Sequence, residues 1–100
     1  MATSALPTFK LMAMNPDKVI FEGEVRSLFL QGDTGEFELL AFHYPVLSFL
    51  REGEIIIDWK YSIAIKKGIV KFFKGDCVIL LELAELEDVG KDKDKKKEKG

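Results

Sequence analysis

Three observations predict an all-β domain of the sandwich or barrel kind. Turn-forming residues recur at short intervals, the segments between them are rich in Val, Ile, Phe and Leu, and no intervening stretch carries a helical period. The predicted turns are Asn15-Pro16-Asp17, Glu22-Gly23, Gln31 to Gly35, Glu52-Gly53, Lys67-Gly68 and Lys74-Gly75-Asp76. With 100 residues there is room for one domain around one core, and an apolar fraction of 47% suits a globular chain.

Each element follows from its side-chain period. In the segment 8–13 (TFKLMA), Phe9, Leu11 and Ala13 share one face. Pro16 then allows a change of direction, because its ring fixes φ and removes an amide donor. In 18–22, Val19 and Phe21 oppose Lys18, Ile20 and Glu22. In 25–30, Val25, Ser27 and Phe29 oppose Arg26, Leu28 and Leu30, which leaves apolar side chains on both faces. Glu36 and Glu38 fall on a further strand; they are assigned to opposite faces and are not read as a pair. Segment 54–58 (EIIID) is again apolar on both faces, and a two-faced strand in a one-domain protein covers its outer face with a loop, the chain end or a partner. Trp59 and Tyr61, flanking Lys60, are read as one face of a strand, packed rather than stacking a base. Val78 to Leu81 form a closing strand ending near Glu82, and the helix formers of 83–87 add at most a turn or two of helix, stopped by Gly90.

Charge divides the chain into a body and an end. Residues 1–86 hold nine Lys/Arg against twelve Asp/Glu, a net of −3, whereas residues 91–100 hold six Lys against three acids, a net of +3. An acidic body excludes the usual nucleic-acid binder, which shows a basic face, and the mixed charge run reads as a solvated tail. The expected organisation is a flexible N-terminus at 1–7, a folded domain at 8–86 and a charged, Lys-rich tail at 87–100. The lone Cys77 cannot form an internal disulfide and sits in an apolar strand, so it is a packed side chain in a reducing compartment. The first eight residues, MATSALPT, lack the basic and apolar regions of a signal peptide, and no apolar run approaches a membrane span. A soluble chain is expected.

The search for chemistry excludes more than it finds. One His and one Cys form no spaced metal-ligand set, and no phosphate-cradling or nucleophile-elbow pattern occurs. Asp17, Asp33 and Asp76 lie in predicted turns, where Asp bonds its own backbone. His43 has no neighbour in sequence that would orient it as a base. No cofactor is expected.

An ordered set of residues nevertheless carries a resemblance. The run 16–25 (PDKVIFEGEV) resembles the opening hairpin of the ε subunit of bacterial F-type ATP synthases, equivalent to the mitochondrial δ subunit. Gly32, Gly35, Glu36 and Phe37 follow at that family's spacing, then Leu40, His43, Pro45 and Leu47, then Leu50 and Gly53. Gly68 fits one position of its glycine pair, and 81–85 (LELAE) is similar to the end of its last strand. The resemblance covers residues 8 to 86.

It implies a flattened β-sandwich of about ten short strands that is not an enzyme. It further implies a central-stalk rotor subunit that binds the γ subunit and the c-ring, so that ion flow and ATP synthesis stay coupled at the cytoplasmic face of the membrane. Contact with the membrane would come only through the complex. Asp33, Gly35, Glu36, Phe42, His43 and Pro45 are the implied c-ring contacts, and the two-faced strands, with Leu28, Leu30 and Ile56, are candidates for γ. Departures are visible as well: Gln31 where Pro is frequent, Glu38 where Gly is, Ala41-Phe42 where Pro-Gly is, and Lys67 before Gly68. Family members continue into a helical hairpin that extends along γ, and residues 87–100 carry no sequence for it, so inhibition of that type and nucleotide binding are not expected. The rival reading is a free-standing β-sandwich acting as a ligand-binding or adaptor protein.

Overall fold

A computed structural model describes residues 6–84 as eight β-strands. They are β1 (Phe9–Met14), β2 (Val19–Val25), β3 (Ser27–Gly32), β4 (Gly35–Leu40), β5 (Val46–Leu50), β6 (Gly53–Ile57), β7 (Tyr61–Phe73) and β8 (Asp76–Leu83). Hydrogen bonding runs in the order β2-β1-β8-β7-β5-β3-β4, and β6 pairs with both β3 and β7. All pairings are antiparallel except β1 with β8. Residues 85–87 of the expected short helix, its stop at Gly90 and the rest of the charged tail lie outside the described residues, as do residues 1–5 of the expected flexible N-terminus.

The two layers are joined by β7. Its first half pairs with β6 and its second half with β5, and its register against β8 shifts between Ile65 and Lys67. One layer is therefore β2-β1-β8 with the second half of β7 and β5; the other is the first half of β7 with β6, β3 and β4. Their inner faces meet in a single core that includes Phe9, Leu11, Leu28, Leu30, Leu39, Ile55, Phe72 and Ile79. Phe9 meets Phe72 edge to face at 5.2 Å between ring centroids, the arrangement the ring quadrupoles favour. Inner residues alternate with outer ones along β1 and β8, as a period of two requires.

Two predicted turns are strand interiors, which is why there are eight strands where the resemblance implied about ten. Glu22-Gly23 lies within β2, with Gly23 opposite Leu11. Lys67-Gly68 lies within β7, just past the shifted register. A Cβ on Gly68 would stand 2.8 Å from the Leu80 carbonyl oxygen, so glycine here serves the close approach of β8 and not a reversal. A turn was also missed. Asp58, Trp59 and Lys60 connect β6 to β7, with Asp58 and Trp59 at φ of 56° and 53° and the Lys60 N–H donating to the Ile57 carbonyl at 3.0 Å. Trp59 is thus in a hairpin turn of type I′ character, not on a strand face. The remaining turns stand as predicted; at the first, Asn15 Oδ1 accepts from the N–H groups of Asp17 and Lys18 at 2.8 and 2.9 Å.

Candidate interaction surfaces

The outer face of the β1-β8-β7-β5 layer is apolar across four strands. Register sets Met14 opposite Leu80, Leu80 opposite Ile69, and Ile69 opposite Phe49, in one row. The next row is Met12, Val78, Lys71 and Leu47. Leu80 is 51% exposed, Phe49 65% and Leu47 72%. The first row floors a groove of about 680 Å³ whose polar lining is Asn15, Lys67 and Glu82. Those two residues lie 3.8 Å apart as an exposed ion pair, which fixes little by itself. Single exposed apolar side chains need no explanation, but a contiguous patch spanning four strands marks an interaction site.

The sequence-derived contact residues are placed differently from one another. Leu28 and Leu30 are both 0% exposed and belong to the core, so they present no side chain to a partner. The expectation failed because β3 turns Leu28, Leu30 and Gly32 inward, and the outward side of that strand is Phe29 and Gln31. Ile56 is half-buried on the outer face of β6, beside Phe29. None of the three touches the apolar rows described above, whose residues come from strands the sequence reading did not single out. The signal was present in the alternation of Val78, Leu80 and Glu82 in β8, but only the pairing of β8 with β7 and β1 makes a patch of it.

The candidate ring contacts divide into two groups. Asp33 occupies the exposed β3–β4 turn, where its N–H donates to the Phe49 carbonyl at 3.2 Å. Gly35, Glu36, His43 and Pro45 line a shallow cleft of about 440 Å³ between β4 and β5. Phe42, 88% exposed, lies in a neighbouring groove with Leu40, Trp59 and Lys60, and His43 lines both the groove and the cleft. The length of β4, about 17 Å at 3.4 Å per residue, separates that groove from the Asp33 turn. Glu36 and Glu38 are both exposed on the outer side of β4, which corrects their assignment to opposite faces: residues two apart in a strand share a face. Glu36 accepts from Gln31 Nε2 at 3.2 Å and Glu38 from Trp59 Nε1 at 2.9 Å, so each already has an intramolecular partner. His43 Nδ1 lies 2.8 Å from the Tyr44 carbonyl oxygen, a geometry in which Nδ1 carries the proton.

The Asp58-Trp59 corner is the most constrained part of the surface. Non-glycine residues at positive φ cost on the order of 1 kcal/mol each and persist only where their surroundings hold them. Asp58 Oδ1 accepts from the N–H groups of Arg26 and Ser27 at 2.7 and 3.1 Å, and the Asp58 N–H donates to the Ser27 carbonyl at 3.0 Å. Trp59 packs on Phe29 at 5.1 Å between centroids and donates to Glu38. These bonds tie the β6–β7 turn to the β2–β3 bend and fix the indole as one wall of the Phe42 groove.

Among the described residues there is no cluster of three or more His, Cys, Asp or Glu able to hold a metal ion. Burial pushes the Cys77 thiol up to about 12, so it stays protonated and unreactive at neutral pH.

Comparison with known proteins identifies the family of this fold. Residues 8–87 match the family described as the β-sandwich domain of the ATP synthase delta/epsilon chain. The ATP synthase epsilon chain of Nitratiruptor sp. is 36% identical over 81 residues, covering 77% of this chain and 63% of the relative. That of Synechocystis sp. is 31% identical over 83 residues, covering 79% of this chain and 60% of the relative. The chain thus spans about three fifths of the length of these curated relatives. In shape it is similar to a chain of the Euglena gracilis mitochondrial ATP synthase OSCP/F1/c-ring structure, with a TM-score of 0.70 at 20% identity over 88% of this chain and 60% of that one. It is similar also to a chain of the Tetrahymena thermophila mitochondrial ATP synthase central stalk/c-ring structure, with a TM-score of 0.69 at 13% identity over 94% of this chain and 78% of that one. With the family model spanning four fifths of its residues and an all-strand fold to match, the chain belongs to the ATP synthase delta/epsilon family through its β-sandwich domain.

Proposed function

We propose that this domain is a non-catalytic rotor subunit that docks on the γ subunit and meets the c-ring, so that ion flow and ATP synthesis remain coupled. The observation that carries this reading is the apolar outer row Met14, Leu80, Ile69 and Phe49. Apolar area of this kind is the core of a protein–protein interface once a partner removes it from water. It replaces Leu28 and Leu30 as the γ contact. The ring contact is the β3–β4 turn and the adjoining cleft, with Asp33, Gly35, Glu36, His43 and Pro45, and Phe42 lies in the neighbouring groove that shares His43 with that cleft. Carboxylates on an exposed turn steer and register a partner more than they hold it, since each exposed ion pair is worth about 0–1 kcal/mol. Holding falls to the apolar face.

The backbone supports such a division of labour. The Asp33 N–H bonds the Phe49 carbonyl, and the Arg51 N–H bonds the Gln31 carbonyl at 2.9 Å. The acidic turn is thereby anchored to the strand that carries part of the apolar row. In this reading the protein works as a peripheral part of the complex at the cytoplasmic face of the membrane; among the described residues no helix is long and apolar enough to cross it.

The test is co-purification with γ from the same source, with wild type and the double variant Phe49→Asp/Leu80→Asp. The wild type is expected to capture γ and the double variant to lose it while remaining folded. Capture that survives the double variant places the γ contact elsewhere, and no capture by the wild type removes the rotor reading.

A further inference from the structure

The apolar outer face of the β1-β8-β7-β5 layer carries one charge inside it. Lys71 is exposed on the outer side of β7, and the period of two sets it between Ile69 and Phe73 along the strand. Across the strands it lies opposite Val78 of β8 and Leu47 of β5. Its four nearest neighbours on this face are therefore apolar, and Val78, Leu47 and Phe73 are exposed with it. Lys67, on the same side of β7, differs in having Glu82 at 3.8 Å. Neither ion pair among the described residues includes Lys71. The outward carboxylates of β8 are Glu82, shared between Lys66 and Lys67, and Asp76, opposite Phe73 and so diagonal to Lys71. β1 and β5 contain no acid. In water the Lys71 ammonium is solvated. Once a partner covers the face, an unpaired charge is expensive and works against the apolar contacts around it.

We propose that the segment of γ covering this face carries a carboxylate opposite Lys71, set among apolar side chains; the proposal rests on the rotor reading above. The neighbours of Lys71 define the surroundings of that carboxylate. Val78 and Leu47 stand one strand to either side, about 4.8 Å away, and Ile69 and Phe73 stand about 7 Å away along β7. A second acid within that ring would meet only apolar side chains and lose its hydration without a partner. The match is thus one carboxylate in an apolar surround, not an acidic patch. Such a pair supplies what apolar area cannot. A segment with an apolar side chain in place of the acid fits the same rows but strands the ammonium, so it is rejected. Lys71 therefore selects among apolar segments and sets the register of the accepted one across the four strands.

The test is the affinity of the full chain for purified γ from the same source, wild type against Lys71→Met. Two surroundings predict opposite signs. Opposite a carboxylate, methionine leaves that acid buried and unpaired, and Kd should rise at least about tenfold. Opposite apolar atoms alone, or with the ammonium turned to the rim, methionine adds apolar contact and removes a desolvation cost, and Kd should fall or stay the same. Neutralising the γ acid concerned should weaken wild-type binding by a similar factor and restore most of the affinity of Lys71→Met, a coupling that a double-mutant cycle reads. Asp76→Asn should leave Kd within about threefold. Unchanged or tighter binding by Lys71→Met overturns the inference and leaves the rotor reading standing. So does a loss that no γ carboxylate rescues, or an equal loss from Asp76→Asn, since the oxygen then comes from a backbone carbonyl or from this chain. Binding that survives Phe49→Asp/Leu80→Asp moves the contact off this face and overturns it too. No binding by the wild type removes the rotor reading, and the inference with it.

Discussion

The two outer faces of this sandwich are built on the same period and carry opposite surfaces. Outside the β1-β8-β7-β5 layer, Met14, Leu80, Ile69 and Phe49 form an apolar row with Asn15, Lys67, Lys71 and Glu82 at its margin. Outside the β4-β3-β6 layer, Glu36, Glu38 and Glu54 are exposed, and the apolar residues Phe29 and Ile56 are half-covered by Trp59 and their neighbours. The second face satisfies itself: Glu36 bonds Gln31, Glu38 bonds Trp59, and Asp58 bonds the bend at Arg26 and Ser27. Among the described residues the first face has no comparable covering. A sheet with both sides apolar is stable only when something lies on each; the second face covers Phe29 and Ile56 with its own side chains and leaves Leu40 and Phe42 exposed at its border, whereas the first leaves a whole row to the solvent.

The largest expected effect belongs to the core between these faces. Leu28→Ala should cost about 2–5 kcal/mol of stability, the usual range for a leucine truncated in a packed interior, and it should leave capture of γ unchanged under conditions where the variant is folded. Urea unfolding measures the first and co-purification the second. A small loss of stability would return Leu28 to the surface and dissolve the contrast.

Next comes the apolar face itself. Phe49→Asp/Leu80→Asp should weaken γ binding by about 100-fold or more, as loss of central apolar anchors does. The unfolding midpoint should move little, because both side chains are already in contact with water. The matched variant on the other face, Glu36→Gln/Glu54→Gln, should leave γ binding within about threefold, since it alters no apolar contact there. Equal losses from the two variants would show that the faces are not functionally distinct.

The Asp58 clamp tests how the second face satisfies itself. Asp58→Ala leaves the Arg26 and Ser27 N–H groups without their acceptor and should cost about 1–3 kcal/mol, whereas Asp58→Asn keeps an oxygen acceptor and should cost less. Emission from Trp59, the sole tryptophan, should shift to the red in the alanine variant as the hairpin loosens. Identical spectra for the two variants would count against the clamp.

Alkaline pH probes the inner side of β8. Cys77 ionises near 9.0 when unfolded and near 12 when folded, because burial disfavours the thiolate. The raised folded value means that its contribution is complete below pH 9 and is lost as pH rises towards 12. The wild type should lose stability between pH 8 and pH 10.5 by more than Cys77→Ala does, measured as the shift in urea midpoint. The same shift in both would exclude the thiol as the cause.

The smallest effect on stability is expected at the acidic turn. Asp33→Lys/Glu36→Lys should change it by no more than about 0.5 kcal/mol, yet weaken the hold on the c-ring in membranes from the same source. The readout is ATP hydrolysis that continues while ion pumping falls. Normal pumping would remove the turn from the ring contact.

Much of this molecule could be read along the chain. The Phe9-Leu11-Ala13 alternation, the Asn15-Pro16-Asp17 turn and the all-strand class depend on neighbours within a few residues, where steric and period rules operate. The misreadings at Gly68 and Trp59 share one origin. Gly23 and Gly68 were taken as turns because glycine permits reversal, but Gly68 is required by the approach of Leu80, a residue twelve positions away. Trp59 was taken as a strand residue because aromatic residues favour strands, but the Asp58 bonds to Arg26 and Ser27 hold it in a left-handed turn. In each case a contact distant in sequence overrode a local preference worth only a few tenths of a kcal/mol to about 1 kcal/mol.

What the sequence by itself determined is therefore the class of the fold, the family and the separation of an acidic body from a basic end, because composition, period and motif spacing are properties of the chain. What only the tertiary structure decided is which side of each apolar strand meets water. Leu28 and Leu30 against Phe29, and Leu80 against Ile79, differ by one step in a period of two, and a strand with apolar residues on both sides contains nothing to say which step points inward. The pairing of β8 with β1 and β7 settles it, since burying the inner set against the opposite layer leaves the outer set, row by row, on the surface.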